Sequence, residues 1–83
     1  MQSAQALIGM NIKVARIRKS WTQADLASKL EVEQSYISRI EKGVIAVSCD
    51  RIYEIIHILG CEHTDIFPDA AEVERKLANG IID

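Results

Sequence analysis

Residues 22–43 read TQADLASKLEVEQSYISRIEKG, two short helical patterns with barely three residues between them. Thr22 is placed to cap the first, with Asp25 three residues on to complete a capping-box pair. Leu26 and Leu30 then fall on one inward face, and Ala27 is small enough to let another helix approach. The second pattern covers Gln34 to Lys42, with Ile37 and Ile40 inward and Gly43 placed to end it. Between them the chain breaks a helix and restarts it at once. The restarted helix carries polar side chains where a surface helix would need none in particular.

Two short helices joined by a tight turn form a helix-turn-helix when the turn holds them at a steep angle. In that motif the first helix lies across a sugar-phosphate backbone and the second enters the major groove. A groove-entering helix needs an apolar face to dock on its own domain, and Ile37 and Ile40 supply it together with Val32 of the turn. It also needs hydrogen-bonding side chains at base edges, and Gln34, Ser35, Tyr36, Ser38 and Arg39 fill that face. The plain alternative is an ordinary solvated helix surface. For Tyr36 the alternative is a partly buried ring with its polar tip exposed.

Outward from this stretch, the periodicity predicts a helix over Leu7 to Lys19 with Ile8, Ile12 and Ala15 on one face. Gly9 inside it costs about 1 kcal/mol relative to alanine, which points to close packing there. Ser48 caps a fourth helix carrying Ile52, Ile55, Ile56 and Leu59, and Gly60 stops it. A fifth helix is expected over about 69–79, with Asp69 as its cap, Glu72 at the reciprocal position and Ala70, Val73 and Leu77 inward. The expected fold is all-α: one compact five-helix bundle over residues 1–83 with the helix-turn-helix at about 22–42. Helix one carries a second apolar stripe of Leu7, Met10, Val14 and Ile17 that four helices leave in water. The C-terminal segment, with Val73, Leu77, Ile81 and Ile82, is expected to pack over it, from the same chain or a dimer partner.

The net charge of −2 hides an uneven distribution. Residues 1–43 hold seven basic and four acidic side chains, and residues 44–83 hold three basic and eight acidic. A basic face opposite an acidic one follows. Cys49 and Cys61 form no paired spacing, and no stretch has the length or apolarity of a signal peptide or a membrane span. A cytoplasmic protein with reduced thiols is expected. His57 and the Cys61-Glu62-His63 run are too few for structural zinc, so no metal or other cofactor is expected. No nucleophile–base constellation, glycine-rich phosphate loop or paired carboxylates argue for an enzyme.

Residues 8–67, about three-quarters of the chain, resemble the lambda repressor/Cro-like helix-turn-helix family, also called the XRE family. The matching stretches are IGMNIKVAR, TQADLASKL, YISRIEKG and SCDRIYEIIHILG, and QSYISRIEKG is similar to small restriction–modification controller proteins. The resemblance implies that Gln23 meets a phosphate at the start of the first motif helix, and Thr22 beside it is a further DNA-binding candidate. It implies that Gln34, Ser35 and Arg39 stand over base edges with Tyr36 and Ser38 alongside; Lys42, at the end of that helix, is a candidate phosphate contact by its position. It also implies a structural ion pair between Arg16 and Glu41. Glu31 departs from the family's Gly or Asn in the turn, so a non-glycine residue is expected at positive φ. Glu33 departs from its Ser or Thr cap, which puts affinity for DNA in question.

The function that follows is a transcriptional regulator binding a palindromic double-stranded DNA operator as a homodimer. A phage or mobile-element repressor and a restriction–modification controller both fit. Tyr53 and Ile58 join the C-terminal region as candidates for the dimer surface. Regulation would come from occupancy, by blocking RNA polymerase or touching it from a neighbouring site on the nucleoid. The alternative of another class is a protein-interaction module or antitoxin whose acidic half engages a basic partner.

Overall fold

Two helices begin where a hydroxyl accepts from their first turn, and two end at a left-handed glycine. The computed structural model describes residues 3–73, with α1 at Ser3–Arg18, α2 at Gln23–Leu30, α3 at Gln34–Lys42, α4 at Cys49–Leu59 and α5 at His63–Ile66. The Thr22 hydroxyl accepts from the Asp25 amide at 3.0 Å, and the Asp25 carboxylate accepts from the Thr22 amide at 2.7 Å. That is the expected capping box. The Ser48 hydroxyl likewise accepts from the Arg51 amide at 3.1 Å and starts α4. Gly43 and Gly60 close α3 and α4 in the left-handed region, at φ 72° and 65°.

Six side chains that lie within 2% of complete burial form the centre of the core: Ile12, Leu26, Ile37, Ile40, Ile55 and Ile66. Helix α1 meets α3 closely at Gly9, where an added Cβ would collide with the carbonyl oxygen of Ile40. The glycine that periodicity marked as a cost is therefore the point of closest helix approach. Val32, half-buried, packs against this core from the turn, as its apolar character suggested.

Two boundaries differ from the reading of the sequence. Helix α1 starts at Ser3 rather than Leu7, because a tertiary contact anchors its first turns. The Gln5 amide nitrogen donates to the Gly43 carbonyl at 2.7 Å, and Ala6 packs against Gly43 itself. The second difference is α5, a single turn between α4 and the predicted fifth helix. The Asp65 carboxylate accepts from the Glu62 amide at 2.9 Å to start it, and Ile66 is fully buried. The Asn11 side chain donates to the Ile66 carbonyl at 2.9 Å and ties this turn to α1.

Beyond it, Asp69 takes its expected capping role, accepting from the Glu72 amide at 2.8 Å, and residues 70–73 are helical. Ala70 is exposed rather than inward and Val73 is half-buried. The rest of the predicted fifth helix, with Leu77, Ile81 and Ile82, lies outside the described residues. So does the expected cover of the second stripe on α1. Along that stripe Met10 is 60%, Val14 41% and Ile17 54% exposed, while Leu7 is half-buried. Among the described residues no helix is long and apolar enough to cross a membrane.

Candidate nucleic-acid interface

The junction of α1, α2 and α3 is held by a buried charge network. Arg16 lies 8% and Glu41 9% exposed. The Arg16 guanidinium donates to both Glu41 oxygens, from Nε at 2.7 Å and from Nη2 at 2.9 Å. A third donor, Nη1, reaches the Trp21 carbonyl at 2.7 Å. The Gln23 amide nitrogen completes the set by donating to Glu41 Oε1 at 3.1 Å. The hydrogen bond to Glu41 raises the Arg16 guanidinium above its ordinary pKa, outweighing the burial that lowers it, and the Glu41 charge adds to the rise. Such a bidentate pair fixes orientation as well as distance. The end of α1 and the end of α3 are thereby locked to the start of α2.

The turn between α2 and α3 has the conformation that the family resemblance implied. Glu31 sits at φ 59° and ψ 44°, and its amide donates to the carbonyls of Ala27 and Ser28. A left-handed conformation costs a residue with a Cβ about 1–2 kcal/mol. Glu33 occupies the N-cap of α3 without a side-chain hydrogen bond to the helix. Its exposed carboxylate thus reaches α3 only through the favourable field at the helix start.

From this frame α3 presents two unlike faces. Inward stand Ile37, Ile40 and Glu41, all buried. Outward stand Gln34, Ser35, Arg39 and Lys42, all exposed. Among the described residues the polar contact within that outer row is a long one, Arg39 to the Ser35 hydroxyl at 3.5 Å. Ser38 is half-buried beside the row. Thr22 is exposed, but its hydroxyl is engaged in the capping box. Gln23 is half-buried and held by Glu41, so the structure gives it a partner inside the protein that the resemblance did not imply.

Tyr36 is half-buried, with the Arg51 guanidinium over its ring at 5.6 Å. The sequence reading passed over Arg51. Its signal was available: it is the single basic residue between positions 44 and 73. It also passed over Trp21, whose ring has the Lys19 ammonium at 5.0 Å and the Lys29 ammonium at 5.6 Å from its centroid. Tyr53, by contrast, is 55% exposed and leans on Phe67 at 5.5 Å, and Ile58 is half-buried against the core. Among the described residues no three His, Cys, Asp or Glu side chains converge where a metal ion could sit.

A helix-turn-helix family model matches residues 12–66. The chain belongs to the helix-turn-helix family, of the XRE type. It is 36% identical over 73 residues to the control protein C.BamHI of Bacillus amyloliquefaciens, covering 84% of this chain and 90% of that one. Among solved structures it resembles the restriction-modification controller protein C.AhdI from Aeromonas hydrophila, with a TM-score of 0.70 at 25% identity over 76% of this chain and 96% of that one. A similar fold, with a TM-score of 0.68 at 23% identity, occurs in the controller protein C.Esp1396I, solved as a tetramer with its natural 35 base-pair operator. That likeness covers 98% of this chain and 97% of the other.

Proposed function

We propose that this chain is a sequence-specific, double-stranded-DNA-binding transcriptional regulator of the restriction–modification controller kind. It acts as a homodimer on a two-fold symmetric operator whose half-sites lie about 34 Å apart. The observation that carries this reading is the division of α3: a buried clamp of Ile37, Ile40 and Glu41 beneath an exposed row of Gln34, Ser35 and Arg39. Gln pairs in a bidentate way with adenine and Arg with guanine, while Ser serves either. Lys42 and the start of α2, with Thr22 and Gln23, meet phosphates. Kinship to C.BamHI and likeness to controller structures support the same reading.

The dimer surface draws on Tyr53, Ile58 and the C-terminal region, together with the exposed stripe of α1. Regulation follows from occupancy, by excluding RNA polymerase or by touching it from a neighbouring site. The protein then works in the cytoplasm, on the nucleoid. The second reading, a protein-interaction module, is favoured by the exposed Glu31 and Glu33 on either side of the turn.

Selection from a random duplex library at about 150 mM salt separates the two readings, because phosphate-driven binding weakens linearly with salt on a log–log plot. Enrichment of a palindrome, with a steep salt slope, is the expected outcome. A folded protein that enriches no sequence overturns the operator reading in favour of the protein partner.

A further inference from the structure

Positive charge is scarce in the second half of the chain. Between residues 44 and 73 the sequence holds six acidic side chains and one basic one, Arg51. Besides a carboxylate of its own helix, that cation reaches a neighbouring helix. It stands in the first turn of α4 and lies over Tyr36, in the first turn of α3. Its carboxylate contact is with Glu54 at 3.4 Å, three residues along the same helix, and the two side chains are 30% and 56% exposed. A pair of that spacing and exposure contributes little and is screened by salt, so it leaves the guanidinium free to exchange partners. The ring beneath it supplies a second hold that does not use its hydrogen-bond donors.

The position along α3 matters more than the charge. Gln23 touches α3 at Glu41, near its end, whereas Arg51 touches it at Tyr36, near its start. Those two positions are five residues apart, about 7.5 Å along the axis. A helix of about 10–12 Å diameter fills a major groove of about 12 Å, so phosphates flank it on both rims. One end of α3 then has α2 as its phosphate-facing neighbour, and the other end has Arg51.

We infer that Arg51 is a phosphate-binding residue of the DNA interface, held over the Tyr36 ring at the start of α3 and clamping the backbone beside Gln34 and Ser35. This rests on the operator reading above. Arg51 reads no base. It anchors the base-reading end of α3 through charge, and the ring keeps its planar fork oriented before DNA arrives.

The test measures affinity by fluorescence anisotropy across a salt series, for the native protein, Arg51→Gln and Arg51→Lys. The probes are the library-selected duplex and a scrambled duplex, and circular dichroism and thermal melts verify folding. Arg51→Gln is expected to flatten the log–log salt slope by about one unit and to weaken both duplexes by the same factor. Arg51→Lys is expected to restore the slope, since an ammonium also neutralises a phosphate. An unchanged slope for Arg51→Gln overturns the inference, whatever happens to affinity, because support of Tyr36 alone releases no counterion. If the native protein itself shows no salt-dependent binding to duplex DNA, the operator reading fails and takes this inference with it. If the native slope is steep and the variant's is identical, only the assignment of Arg51 fails.

Discussion

The inner and outer faces of α3 differ in how far the protein determines their conformation. Inside, Glu41 is tied to two residues by three hydrogen bonds, and Ile37 and Ile40 are sealed in the core. Outside, Gln34, Ser35, Arg39 and Lys42 are exposed, with a 3.5 Å contact as their mutual restraint. Rotamer freedom is lost once, on folding, for the inner set. The outer set keeps it in the free protein, and under the proposed operator reading loses it only on binding, where those side chains would adapt to base edges. On the proposed function, stability and recognition are thus separated across one helix of nine residues.

The largest break in this comparison is Glu41→Ala. It leaves Arg16 buried without its partner and is expected to cost about 3–5 kcal/mol, read as a lower urea midpoint. A loss below about 1 kcal/mol would show that solvent reaches the pair and that the inner face is not sealed.

Arg39→Ala tests the outer face. Thermal stability is expected to stay within about 0.5 kcal/mol of the native protein. Operator affinity is expected to fall by about 1–3 kcal/mol, with preference relaxed at one base, in a competition series of single-base variants. A large stability loss with unaltered base preference would reverse the assignment of the two faces.

Glu31→Gly sharpens the comparison at the turn that sets α3 in place. Removing the Cβ from a left-handed residue is expected to stabilise by about 1 kcal/mol, a rise in Tm of about 4–8 °C. An unchanged Tm would show that the turn is unstrained with Glu31 in it.

The smallest effect belongs to the cap of α2. Asp25 is held below the usual carboxylate range, first by the backbone hydrogen bond from Thr22 and then by the Thr22 hydroxyl. A carboxylate depressed in the folded state stabilises fully above its unfolded value of about 3.9, and the contribution disappears as pH falls through the lower folded value. Melting temperatures of the native protein and Asp25→Asn are therefore expected to converge as pH drops below about 4. A gap that persists at pH 2 would assign the effect to geometry rather than charge.

Much of this architecture was legible because it is local. Thr22 with Asp25, Ser48 before α4, and Gly43 and Gly60 at helix ends each act on backbone groups within four residues, so their spacing announces them. The left-handed Glu31 was expected only through the resemblance, because it stands where the family has Gly or Asn. The inward and outward sides of α3 follow from a 3.6-residue period, and the resemblance to the XRE family added the pairing of Arg16 with Glu41, which the structure contains. The single turn at His63–Ile66 escaped because four residues are too few to display a period. Its capping pair, Glu62 and Asp65, was nevertheless present in the sequence.

The sequence by itself determined where α2, α3 and α4 begin and end and which polar side chains α3 carries outward. Only the tertiary structure decided that Gly9 faces the Ile40 carbonyl, that Gln5 extends α1 by bonding to Gly43, and that Asn11 holds α5. It also decided that Gln23 reaches Glu41 and that Arg51 crosses to Tyr36. Those contacts join residues 15 to 55 positions apart in the chain. No local pattern encodes them, because each depends on how close two helices come once their apolar faces have met.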